Sequence, residues 1–214
     1  MSQQKQPKAM NKYVTTQEQR TLHATEMRIA DGTADASGRT IEGYAFLYNN
    51  RTDMGWYQEV ILPGAADGLI EISDVRALLN HNPNDLLARS KKGKGTLSLT
   101  LDERGLKFSF VCPECRSDII EMLQRGDLDQ CSFSFTIDQQ RWIENGDESE
   151  LREVVKFKEL YDVTLATYPA YEDTTAALRC RNEALGVSQD ATAQIQSKNQ
   201  QRNRFLHELE IVIL

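Results

Sequence analysis

Residues 95–110, GTLSLTLDERGLKFSF, decide the fold class. Leu97, Leu99 and Leu101 alternate with small polar residues, Asp102 to Gly105 supplies turn chemistry, and Leu106, Phe108 and Phe110 alternate back. Period-two alternation on both sides of a Gly-containing turn specifies an antiparallel hairpin with one buried face. Working outward, Ile41–Tyr48, Trp56–Leu62 and Phe157–Thr167 read as strands, with a less regular one over Leu22–Ile29. Ser73 reads as the cap of a helix through Asn80, with Val75, Leu78 and Leu79 on one face and His81 at its end. A second helix runs from Ser117 to Arg125, with Gly126 as its C′ residue. Many short strands with few helices predict an α+β domain, mostly antiparallel β, shaped as a barrel or sandwich.

The chain has 214 residues, 40% of them hydrophobic, and a net charge of −7. That length accommodates one well-buried domain. The division expected is a flexible leader over residues 1–20, a folded domain over 21–180 and a flexible, Gln- and Asn-rich tail over 181–214. No apolar run approaches the ~20 residues that cross a bilayer, and the first twenty residues lack the apolar core of a signal peptide. Synthesis in the cytoplasm, away from membranes, is the expectation. Acidic charge argues against nucleic acid as a specific partner. Arg89, Lys91, Lys92 and Lys94 read as a solvated loop around Gly93 and Gly95.

Cys112 and Cys115 have the spacing of half a zinc site, but Cys131 and Cys180 form no second pair. Free thiols and no metal or cofactor are therefore expected, with a zinc-stapled binding module as the competing reading.

Residues 131–137, CSFSFTI, carry the chemistry. Alternation puts Cys131, Phe133, Phe135 and Ile137 on a core face and Ser132, Ser134 and Thr136 on the other. Such a hydroxyl row is either the solvent side of a sheet or the wall of a cleft holding a nucleophile. Cys131 would be the stronger attacker as a thiolate, but burial among phenylalanines suppresses ionisation. His81 has a structural reading, bonding the last carbonyls of a helix, and a functional one, as a general base. Asp162, in an apolar and β-branched strand, needs a partner to be buried there, either an imidazole or an Arg or Lys. His23 and His207 are poorer candidates; HELE at 207–210 is not the metal-binding H-E-x-x-H pattern.

IEGYAFLYN (41–49), EVILPGA (59–65), VRALLNHNP (75–83), GTLSLTLDERGLKF (95–108), GDLDQCSFSF (126–135) and YDVTLATYPAYEDT (161–174) occur in one order. Together they resemble the prohead, or capsid maturation, proteases of tailed bacteriophages, over about residues 40–180. The resemblance implies a serine endopeptidase with a herpesvirus-protease-like β-barrel core wrapped by helices. It places His81 at the histidine closing L-L-N-H, Ser132 at the serine opening S-F-x-F, and Asp162 at the acid before V-S/T-L-V. This chain departs from the pattern in carrying Asp where Glu is commoner and Ala166 where Val closes the motif. Herpesvirus enzymes use a second histidine as third member, which keeps His23 as a rival to Asp162. The implied substrates are the major capsid protein or a separate scaffold protein, and the protease itself, inside the assembling prohead in the host cytoplasm. A homo-oligomer is compatible with the resemblance. The alternative is a catalytically inactive assembly or scaffold factor with the same fold.

Overall fold

The hairpin of residues 95–110 forms as the alternation dictates, and it belongs to the smaller of two sheets. The computed structural model describes residues 17–23, 27–30, 38–54, 57–144 and 150–167. In chain order the first half contains β1 (Glu18–His23), β2 (Arg28–Ile29), β3 (Thr40–Leu47), β4 (Thr52–Asp53), β5 (Tyr57–Ile61), α1 (Leu69–Ile72) and β6 (Asp74–Leu79). Then come β7 (Asn82–Lys91), β8 (Lys94–Gly95), β9 (Leu97–Leu101), β10 (Gly105–Val111), α2 (Ser117–Arg125), β11 (Gln130–Glu144) and β12 (Glu150–Ala166).

The large sheet runs β1-β11-β12-β6-β7-β8, and β5, with β4 at its side, also pairs with β12. The small sheet runs β2-β3-β10-β9. Most neighbours are antiparallel, but the long β12 receives β5 and β6 in parallel along two successive stretches. Among the described residues no pairing closes either sheet into a barrel, so the fold is mostly β with few helices and the expected barrel is not formed by these strands.

The core lies where the two sheets face each other. Phe46 of β3 packs 5.3 Å from Phe133 and 5.2 Å from Phe157, and Phe135 meets Phe157 edge-on at 5.1 Å. Cys131, Phe133, Phe135 and Ile137 are all buried on this side, as the alternation of β11 requires. Gly105 opens β10 where a Cβ would lie 2.0 Å from the Phe46 carbonyl oxygen, so only glycine fits that approach. The α2 helix forms as expected and buries Ile119. Gly126 ends it at φ 78°, and the Asp127 N–H closes back on Met122 O at 2.9 Å.

Residues 73–80 correct the sequence reading. Residues 74–79 form strand β6, not a helix, and Ser73 terminates the short α1 instead of capping a new one. Val75 and Ala77 are buried on one face of β6, where Asp74 and Arg76 on the other stay half-buried, and Leu78 breaks the alternation by being buried as well. One break in period-two alternation within six residues leaves a short apolar run that a window of this length cannot distinguish from a helical stripe. His81 consequently sits in a hairpin turn, not at a helix end.

One further difference concerns the edge of the large sheet. Glu18, Gln19 and Arg20, expected in the leader, belong to β1 and pair with β11. The tail over 181–214, and with it Cys180 and His207, lies outside the described residues.

Candidate active site

The site begins with register. Across the antiparallel β11–β12 ladder, Ser132 is opposite Thr164 and Ser134 is opposite Asp162. Side chains of paired residues share a face, so four polar side chains from two strands form one patch on the side away from the phenylalanine core. The next strand, β6, runs parallel to β12 with Leu78 beside Thr164 and Leu79 beside Leu165. Its continuation turns back over that patch.

The turn holds only two residues. Leu79 pairs with Asn82, and both Asn80 (φ 52°) and His81 (φ 55°) are left-handed. This is the backbone of a two-residue primed hairpin turn, in which asparagine is favoured and histidine tolerated. Asn80 fastens the turn to the end of β12. Its N–H donates to Leu165 O at 2.9 Å, and its Oδ1 accepts from Thr167 N–H at 2.9 Å and from the Thr167 hydroxyl at 3.1 Å.

Held in this way, His81 lies between the acid and the hydroxyl. Its Nδ1 is 2.7 Å from Asp162 Oδ1, and its Nε2 is 2.7 Å from Ser132 Oγ. An ionised carboxylate only accepts, so the shared proton sits on Nδ1 and Nε2 is left as the acceptor facing Ser132. Thr164 Oγ1 donates to the same Asp162 Oδ1 at 2.9 Å and is 3.3 Å from His81 Nδ1. Asp162 therefore has an imidazole partner, which answers the question its burial posed.

The expected wet face is covered. Ser132, Ser134 and Thr164 are buried, while the His81 side chain keeps 15% of its surface. The Ser132 hydroxyl also lies 2.9 Å from the carbonyl oxygen of Arg20 in β1, and Gln17 Nε2 donates to Ser134 Oγ at 2.5 Å. One hydroxyl hydrogen thus has two acceptors in reach, His81 Nε2 and the Arg20 carbonyl.

An ion cluster holds β1 in that place. Arg152, fully buried, donates to Glu18 Oε1 at 2.7 Å and Glu59 Oε2 at 2.9 Å, and its Nε donates to Gln140 Oε1 at 2.7 Å. Arg20 reaches Glu59 Oε1 at 2.6 Å and Glu18 Oε2 at 2.5 Å. Burial alone would raise the Glu18 carboxyl, but the charges of Arg152 and Arg20 overcome it and hold the group at about 2. The same carboxylates push the Arg152 guanidinium above its ordinary value, against the effect of its own burial.

Cys131 points into the core, and burial pushes its thiol up to about 12. It is a poor source of thiolate at neutral pH. Cys112 is buried with its thiol directed at Arg116 O at 3.3 Å, and Cys115 is exposed. Among the described residues no three metal-binding side chains gather. In the basic loop, Arg89 pairs with Asp74 at 2.5 Å, and Lys91, Lys92 and Lys94 face solvent. The rival His23 ends β1, and its side chain lies outside the described residues.

Sequence reasoning placed Ser132, His81 and Asp162 and missed Asn80, Thr164 and the Arg20 carbonyl. Thr164 was within reach of the same alternation that ordered β11, since it lies two residues from Asp162 on one strand. Asn80 and Arg20 act through a turn and a pairing that one-dimensional patterning does not reveal.

A carboxylate, an imidazole and a serine hydroxyl in line, on a mostly β scaffold, have the make-up of a serine hydrolase site. A model of the caudovirus prohead serine protease family matches residues 23–187, and the chain belongs to that family. No curated protein matches the chain, and no solved structure does.

Proposed function

We propose that this protein is a serine endopeptidase that cleaves capsid or scaffold segments, and itself, during prohead maturation in the host cytoplasm. The observation that carries the reading is the unbroken line from Asp162 through His81 to Ser132, with 2.7 Å at each link. In the first step the Ser132 proton passes to His81 Nε2 as Oγ bonds to the scissile carbonyl carbon. Asp162 accepts from Nδ1–H throughout and stabilises the imidazolium. Collapse of the tetrahedral adduct breaks the C–N bond, and the leaving amine takes the proton from Nε2. Water, deprotonated by the same nitrogen, then releases the acyl group and restores Ser132. Family membership supports capsid and scaffold proteins as the substrates. Kinship with the herpesvirus assembly proteases belongs to this proposal.

A second reading rests on the covered Ser132 hydroxyl: a catalytically silent assembly factor that keeps the fold. The intact acid–base line favours the protease. Mass spectrometry of the purified chain over time, alone and co-expressed with its capsid protein, separates the two. Wild type should shorten itself or the capsid protein, whereas Ser132→Ala should leave both at full length. Loss of one member of such a triad slows chemistry by ~10⁴-fold or more. Equal shortening with Ser132→Ala in a protease-free preparation would sink the assignment.

A further inference from the structure

We infer that Thr164 is a positioning residue, a hydroxyl that locks the Asp162–His81 pair in the orientation and tautomer that general-base chemistry needs; the inference rests on the serine-peptidase reading. Thr164 is buried and stands directly across the ladder from Ser132. Its hydroxyl donates to Asp162 Oδ1, the same oxygen that His81 Nδ1 contacts. A carboxylate on two rotatable bonds can swing; two donors converging on one oxygen, one from β12 and one from the β6–β7 turn, hold it in place. The oxygen of that hydroxyl also faces Nδ1 at 3.3 Å. An acceptor there favours the proton on Nδ1, which leaves Nε2 free to take the serine proton. Both contacts of Thr164 therefore support one tautomer.

The bland alternative is that threonine is a common strand residue whose methyl fills space and whose hydroxyl merely finds a neighbour. Substitution by valine and by serine separates the two. Val keeps the shape and removes the hydroxyl; Ser keeps the hydroxyl and removes the methyl.

The test uses the full chain and two measurements. One is the rate at which a fluorophosphonate probe attaches to Ser132, followed by intact mass across pH. The other is the deshielded proton resonance of His81 Nδ1–H, which reports the Asp162 bond without any turnover. Thr164→Val should slow labelling by about ten- to hundred-fold, the size of one lost hydrogen bond to a charged group, shift the pH–rate profile, and broaden or displace the Nδ1 proton. Thr164→Ser should restore both readouts to near wild type. A Thr164→Val protein with wild-type labelling and an unchanged Nδ1 signal overturns the inference, as does a Thr164→Ser protein impaired like Thr164→Val. Labelling of Ser132→Ala at the wild-type rate would instead remove the serine-peptidase reading itself.

Discussion

Leu79 and Asn82 are ladder partners, so Asn80 and His81 alone make the turn that carries the imidazole to the acid and the hydroxyl. The position of the imidazole is thus fixed by a strand register and by one asparagine, not by the length of a loop.

Asn80 combines a tolerated left-handed backbone with three hydrogen bonds to the end of β12. Asn80→Gly keeps the backbone freedom and removes the two bonds made through Oδ1. Labelling of Ser132 by a fluorophosphonate should fall by about tenfold or more, with a smaller change in melting temperature. Asn80→Asp retains the acceptor for Thr167 and should stay close to wild type. Equal labelling by Asn80→Gly and wild type would show that the turn holds His81 without help.

Neighbouring Cys131 and Ser132 point to opposite sides of β11, and the thiol sits at about 12 through burial. Cys131→Ser should therefore leave self-processing intact while lowering stability, because a hydroxyl replaces a thiol among phenylalanines. Thiol-alkylating reagents should leave activity unchanged in the folded chain. Abolished processing in a folded Cys131→Ser protein would reassign the nucleophile.

The Glu18 carboxyl ionises lower in the folded chain than its ordinary 4.5, at about 2. A depressed folded value contributes stability that is complete above about 4.5 and is lost as pH falls toward about 2. Thermal melting of wild type and Glu18→Gln should differ most above pH ~5 and converge through that window. Arg152→Ala, which leaves the buried Glu18 and Glu59 carboxylates sharing the one cation of Arg20, should cost about 3–5 kcal/mol of unfolding free energy at neutral pH. A gap between wild type and Glu18→Gln that stayed constant down to pH 2 would contradict the pairing.

The Arg20 carbonyl lies 2.9 Å from the buried Ser132 hydroxyl, so the proposed mechanism requires β1 to shift before attack. Gln19 and Ser134 are cross-strand partners, and paired strand residues lie within disulfide range. In a background lacking the native cysteines, Gln19→Cys with Ser134→Cys should label at Ser132 at least tenfold more slowly when oxidised than when reduced. Identical rates in the two states would show that β1 is no barrier.

Much of this was legible in the residues. The 95–110 hairpin, the core face of β11 and the α2 helix with its glycine end all follow from local periodicity and turn chemistry. The helix expected over 73–80 failed because Leu78 is buried on the face opposite Val75 and Ala77, and that one break in alternation hides the period that separates strand from helix. The three site residues were named from motif and residue type. Their convergence depends on β6 entering parallel beside β12, a long-range pairing with no local signature. The Glu18–Arg152 contact joins residues 134 positions apart, beyond any windowed reading.

The four charges that fasten β1 divide evenly. The strand brings Glu18 and Arg20; the body of the sheet brings Glu59 and Arg152, which touch each other at 2.9 Å. Peeling the strand away would leave a self-cancelling couple on each surface and no orphaned ion in the interior. A latch built from matched halves can open and re-seat at far lower cost than one whose two sides carry opposite excess.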